Sequence, residues 1–300
     1  MNPYREPGKF TEVNPAVEEI LKREKAKEIM KGDYFGPEAV KTAFGIEIPD
    51  SEIPPLPYTL EQLEQAKELG EMLILRVSHD NEGNLMTIEQ IKKIIQLKMN
   101  NDNDSFFDNL DEYKDYDFYR ENHLKKEWRL VSKSFVPDVT SGKDEDGQYI
   151  DKSTNCNYIH QTRLLRNYLK LVGSLAEDEE RECSDAILRN FSKQLGVGWD
   201  YQDIFDEKKY LRSLKRISQQ LVGLEINKKN RRIPVEIIYD SILQSSSRKG
   251  WCLLTDKNDW TPVLLLNSLV FIGEIDKLGI GIDAWTAGSR NDNLGVVSQR

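Results

Sequence analysis

Between Tyr158 and Leu243 the apolar residues recur at helical spacing, and beyond Trp251 that spacing is gone. No other feature of the chain restricts its fold so strongly. Ile159, Leu165, Tyr168, Leu169 and Val172 mark one helix. Ile187, Leu188, Phe191 and Leu195 mark a second, stopped by Gly196. Tyr210, Leu211, Leu214, Ile217, Leu221 and Val222 mark a third, and Pro234 opens a fourth through Val235, Ile238, Tyr239, Ile242 and Leu243. After Ser245-Ser-Ser247 the chain reads as strands, at Trp251–Leu254, Val263–Ile275, Ile280–Trp285 and Leu294–Val297, punctuated by Gly273, Gly279, Gly281, Gly288 and Gly295. Helices first and strands last predict an α+β fold, a mostly helical body with a short strand unit and a small β-rich C-terminal module.

The first half supplies the strand unit. Asn14-Pro15 is a helix start, and Gly36-Pro37 opens a short helix that ends at Gly45. Residues 48–58 hold Pro49, Pro54, Pro55 and Pro57, which predicts an extended linker. Thr59-Leu-Glu-Gln62 and Thr87-Ile-Glu-Gln90 read as capping boxes. Between them Met72–Val77 reads as a buried strand and His79–Asn84 as a turn. Trp128–Ser132 reads as a further strand. The expected organisation is 1–58 as N-terminal helices and Pro-rich linker, 59–249 as a mainly helical body, and 250–300 as the β-rich module. Fifty residues bury little core alone, so that module is expected to pack on the helices.

Composition narrows the class. Of 300 residues, 38% are hydrophobic and 31% charged, which excludes an integral membrane protein. The longest apolar run, Val263–Gly273, is shorter than the ~20 residues a span requires. The first ten residues lack the apolar centre of a secretory signal, and Cys156, Cys183 and Cys252 are too few and too scattered for a disulfide framework. These features predict a cytoplasmic protein. The net charge of −9 hides two blocks. Lys208 to Arg232 carries nine bases and one acid, Glu225, whereas 101–121 carries eight acids and two bases.

No catalytic or metal motif is complete. The loop from Asp80 lacks the Gly and Glu positions of a calcium-binding loop, and Asn100–Asp104 lacks them too. Cys156-x-x-x-His160 has neither the four ligands of a structural zinc nor a third group to orient a Cys–His pair. Phosphate-binding and nucleophile-elbow motifs do not occur, and Gly279-x-Gly281 reads as turn chemistry. No metal and no cofactor is expected.

Two binding readings remain. The basic segment, Lys208, Lys209, Arg212, Lys215, Arg216, Lys228, Lys229, Arg231 and Arg232, is a candidate phosphate contact, against the plainer reading of a solvated helix face. Trp251, Trp260, Trp285 and Arg290 gather in the last fifty residues and are either binding hot spots or filling for a small β core.

Four stretches carry a family resemblance. Leu224-x-Ile226-Asn227 with Arg232-x-Pro234-Val235-Glu236-x-x-Tyr239, the ending Asp292-x-Leu294-Gly295-Val296-Val297-Ser298-x-Arg300, Trp128–Ser132 with Gln161-Thr162 and Tyr168-Leu169, and Thr59–Val77 with its following turn resemble a family of uncharacterised bacterial and phage-like proteins. The C-terminus of that family is similar to the variable proteins of diversity-generating retroelements, which have a C-type-lectin-like fold. Val296 and Val297 stand where that pattern has an aromatic residue and Arg. The resemblance implies a recognition surface on residues 250–300, with Asn267, Ser268, Asp283, Trp285, Ser289, Asn291 and Asn293 as variable-type positions. With Trp260 and Arg290 these form the candidate ligand site. The expected function is non-enzymatic binding of a protein or other macromolecular ligand. The alternative is a nucleic-acid-associated or regulatory protein using residues 208–232.

Overall fold

A computed structural model describes residues 15–98, 110–140, 156–197, 207–247, 258–276, 279–290 and 293–300. The fold is α+β. Among the described residues no helix is long and apolar enough to cross a membrane.

The N-terminal part runs α1 (Pro15–Met30), β1 (Tyr34–Phe35), α2 (Pro37–Phe44), α3 (Leu60–Glu68), β2 (Glu71–Arg76), α4 (Ile88–Lys98), α5 (Asp117–Arg120) and β3 (Glu127–Ser132). Local chemistry sets several ends. Gly45 takes φ 71° at the end of α2, a left-handed conformation that glycine adopts without steric cost. Thr59 and Gln62 form the full capping box of α3. At Thr87 only half of the expected box forms. Thr87 accepts from the Gln90 backbone N–H, but the Gln90 side chain turns instead to Asp80, 2.5 Å away. The proline segment 48–58 lies against the core: Ile53 and Leu56 are buried, and Pro54 O accepts from the Trp128 indole at 3.0 Å.

β2 lies between β1, to which it is parallel, and β3, to which it is antiparallel. All six of its residues are buried. Met72 and Ile74 enter one apolar cluster, and Leu73 and Leu75 another with Trp128, Met30 and Leu63. A strand covered on both faces needs a continuous apolar run, which is what Met72–Leu75 supplies.

The second part runs α6 (Tyr158–Leu171), α7 (Glu177–Glu182), α8 (Asp185–Leu195), α9 (Glu207–Gly223), α10 (Glu225–Asn230), α11 (Pro234–Ser247), β4 (Asn258–Leu265), β5 (Ser268–Asp276), β6 (Gly279–Trp285) and β7 (Leu294–Gly295). The C-terminal sheet has the order β6-β5-β4-β7. The expected single strand Val263–Ile275 is two strands, with a hairpin turn at Leu266-Asn267 inside the apolar run. The expected strand Trp251–Leu254 lies outside the described residues.

β5 is also covered on both faces. Leu269 and Phe271 pack with α6, α8 and α9, whereas Val270 and Ile272 pack with α11. From Pro234 to Gln244 α11 is buried all round, and its cluster takes in Met72 and Ile74 of β2 as well as Ile280 and Ile282 of β6. Both sheets therefore share one core. The chain end ties them further. Leu130 and Arg300 exchange two backbone hydrogen bonds of 3.0 Å, and Ser132 N–H donates to Ser298 O, so the last residues add to β3 as a fourth strand. Arg300 also grips Glu71 with Nη2 2.7 Å from the carboxylate.

Candidate recognition surfaces

The nine candidate ligand residues do not share one face. Asn267 and Ser268 sit at the tip of the β4–β5 hairpin, and Trp285 is beside them because it pairs with Leu269 across β5 and β6. Asp283 is exposed further along β6, opposite Phe271. Ser289 and Arg290 belong to the return turn, where Thr286 and Ser289 hydroxyls are 2.9 Å apart. Asn293 is exposed at the far end of the sheet, its carbonyl accepting from Asn258 N–H at 2.7 Å. Asn291 lies outside the described residues.

Trp260 is a core residue and presents nothing to a ligand. It is fully buried and edge-on to Tyr158 and Phe271, with ring centroids 5.6 and 6.0 Å away. The reason is register: β4 directs Trp260 into the cluster formed by α6 and α9.

The hairpin tip carries a residue that the sequence reading missed. Leu266 is 83% exposed and takes φ 58° at the first turn position. Glycine is the ordinary occupant of such a position, and a leucine there is strained. Leu264 and Leu265 are half-buried beside it, and Trp285 is half-buried, edge-on to Phe271 at 5.2 Å. The signal was Asn267-Ser268 interrupting an apolar run, which marks a turn within it.

The basic segment divides in the same way. Lys208, Lys209, Arg212, Lys215 and Arg216 are exposed on α9, opposite the buried Tyr210, Leu214, Ile217 and Leu221. Lys228 and Lys229 are exposed on α10 but paired: Lys228 lies 2.9 Å from Glu225, and Lys229 3.5 Å from Glu179. Arg231 and Arg232 are fully buried and out of reach of any phosphate in solution.

The buried arginines have different partners. Arg231 stacks on the Tyr158 ring at 3.8 Å and donates to Asn227 at 2.9 Å. Burial holds its pKa below the ordinary arginine value. Arg232 donates to Asp259 at 3.0 and 3.2 Å and to Asp240 at 3.2 Å. Asp240 is shared with Arg76 of β2, which also meets Glu236 at 2.7 Å and Gln299 at 2.8 Å. Burial raises the Asp259 carboxyl above the usual range against the opposing pull of Arg232 and the Val297 N–H. The network joins β2, α11, β4 and the chain end.

The Cys156–His160 pair is placed for packing rather than reaction. Burial pushes the Cys156 thiol up to about 12, far from the thiolate that nucleophilic or metal chemistry needs. His160 Nε2 faces an Arg163 nitrogen at 3.0 Å. Among the described residues no group of three His, Cys, Asp or Glu is placed to hold a metal ion. A groove of about 420 Å³ lies where α2 and α4 meet the Asp80 turn, lined by Phe44, Ile94 and Leu97 among others. Asp80 at its rim is committed to Glu82, Asn84 and Gln90. Asn100–Asp104 lies outside the described residues.

Comparison of the chain with protein-family models, with curated proteins and with solved structures returns no match.

Proposed function

We propose that this chain is a binding protein whose C-terminal sheet recognises a protein ligand through the hairpin tip, with Leu266, Asn267, Ser268 and Trp285 as the contact residues. One observation carries this reading: an apolar side chain stands 83% exposed at a turn position that strains it. Nothing in the fold calls for leucine there, and glycine would sit at lower energy. Beside it, a tryptophan braced by Phe271 offers a rigid amphipathic ring of the kind that dominates interface energetics. β5, buried on both faces, is a stiff mount for the tip.

The resemblance to variable proteins supports the same end of the molecule. On that reading Asn267, Ser268, Asp283, Trp285, Ser289, Asn291 and Asn293 differ among close relatives, while Trp260 and Gly295 do not.

Deleting residues 250–300 is a poor test, because it removes Trp260, Val270 and Val296 from the core. A photo-crosslinking residue at position 267, with a matched one at exposed Lys93 as reference, is better. A cross-linked protein obtained from position 267 alone, and lost in Leu266→Asp, is the expected result. Equal capture from both positions would end the proposal.

A further inference from the structure

Helix α9 carries a run of bases with no acid between them. The segment from Lys208 to Leu224 holds five bases and no acid, in a chain with 51 acidic residues. On α4 and α10 bases are answered locally: Lys93 by Glu89 at 3.4 Å, and Lys228 and Lys229 by Glu225. Lys208, Arg212 and Lys215 have no carboxylate within 4.0 Å among the described residues, and Arg216 meets only the neutral Gln194, at 2.6 Å.

This arrangement works against the helix. Lys208 with Arg212, and Arg212 with Arg216, are like charges four residues apart, and Arg212 with Lys215 three apart. Each such pair destabilises a helix by roughly 0.2–0.5 kcal/mol. A solvated face with no further role gains nothing from it. The cost is relieved when an anion lies along the face.

The geometry identifies the anion. The buried side of α9 is Tyr210, Leu214, Ile217, Ser218 and Leu221, and Tyr210 is anchored on the return turn by the Gly288 N–H. The apolar face is therefore already used, and no membrane can take it up. What remains outward is a band of cations with Leu211, 65% exposed, among them, and it turns about 40° around the helix with each four-residue step. Lys208, Arg212 and Arg216 follow one another at about 6 Å along the axis, at ~1.5 Å per residue over four residues. A regular band of that kind suits a polymer with one negative charge per unit. We propose that the outward face of α9 binds the phosphodiester backbone of a nucleic acid, through Lys208, Arg212, Lys215 and Arg216 and without base recognition. Lys228, Lys229, Arg231 and Arg232 take no part, being ion-paired or buried.

The test is fluorescence anisotropy of a labelled 20-nucleotide RNA and a duplex DNA of the same length, at 50 and 200 mM NaCl, with the full chain. Contact with three to five phosphates predicts an affinity loss over that salt range of about 40- to 500-fold for the duplex and about 20- to 130-fold for the single strand. The duplex and the single strand show which form the face prefers. Lys208→Gln, Arg212→Gln and Lys215→Gln combined should raise the thermal transition slightly, because the like-charge pairs are removed, and lower the log–log salt slope by about 3, with each single substitution lowering it by about 1. Lys228→Gln should leave the slope unchanged. The proposal is overturned if the triple variant binds as the parent does, if binding is insensitive to salt, or if polyglutamate or vesicles of anionic lipid bind as tightly as the oligonucleotides.

Discussion

Arg76 and Asp240 form a two-pronged ion pair with neither side chain exposed to water, Nε to Oδ1 at 3.0 Å and Nη2 to Oδ2 at 2.7 Å. The pair ties β2 to α11 across 164 residues of sequence. A charge that deep is tolerated only while its partner is present.

Removing one member should therefore cost far more than removing both. Asp240→Ala or Arg76→Ala is expected to destabilise the fold by about 3–5 kcal/mol, read from denaturant midpoints. Arg76→Met with Asp240→Leu should recover a large part of that loss, limited by Arg232 and Glu236, which also bond into the pair. Additive losses in the double variant would contradict this account.

Gly295 is needed for space. A Cβ at that position would lie 2.5 Å from the Phe135 ring. Gly295→Ala should cost about 1–3 kcal/mol, as overpacking does, and Phe135→Leu should restore part of it. Chemical denaturation of the two single variants and their combination measures both.

Asp80 gives an acid-side signature. Burial pushes its pKa up, but hydrogen bonds from the Asn84 side chain and backbone, the Glu82 N–H and Gln90 outweigh burial and leave the carboxyl below the usual range. A depressed carboxyl contributes stability above its unfolded pKa of about 3.9, and that contribution fades as pH falls through the folded value. Asp80→Asn should thus be less stable than the parent by about 1 kcal/mol at pH 6, with the gap closing toward pH 3. A gap constant with pH would mean that the carboxylate charge is not involved.

Leu266 should show a conflict between stability and binding. Leu266→Gly removes the side-chain strain of a positive φ and is expected to stabilise the fold or leave it unchanged, within about 1 kcal/mol, while abolishing cross-linking from position 267. A clear loss of stability would show that the leucine serves the fold.

The helices were legible because their causes are local. Thr59 with Gln62, the left-handed Gly45 and Gly196, and the 3.6-residue recurrence along α6, α8, α9 and α11 all act within one or two turns. The same holds for the exposed cations of α9, since its apolar face points the other way. The β4–β5 turn left one sequence mark, Asn267-Ser268 within an apolar run, and its place was decided only by the register that sets Leu265 opposite Ser268. Trp260 was ambiguous for a related reason: a tryptophan in a strand is core or contact according to which side carries a helix.

What the chain determined by itself is thus the long helices α6, α8, α9 and α11, the buried strand β2, the α+β class and the charge on the outer side of α9. What tertiary structure decided is the meaning of residues whose partners are remote. Arg231 and Arg232 look like the end of a solvated basic run. They are buried because Tyr158, Asp240 and Asp259 come to them from other elements. Burial of a charge depends on the sum of its surroundings, and no window of neighbouring residues contains that sum.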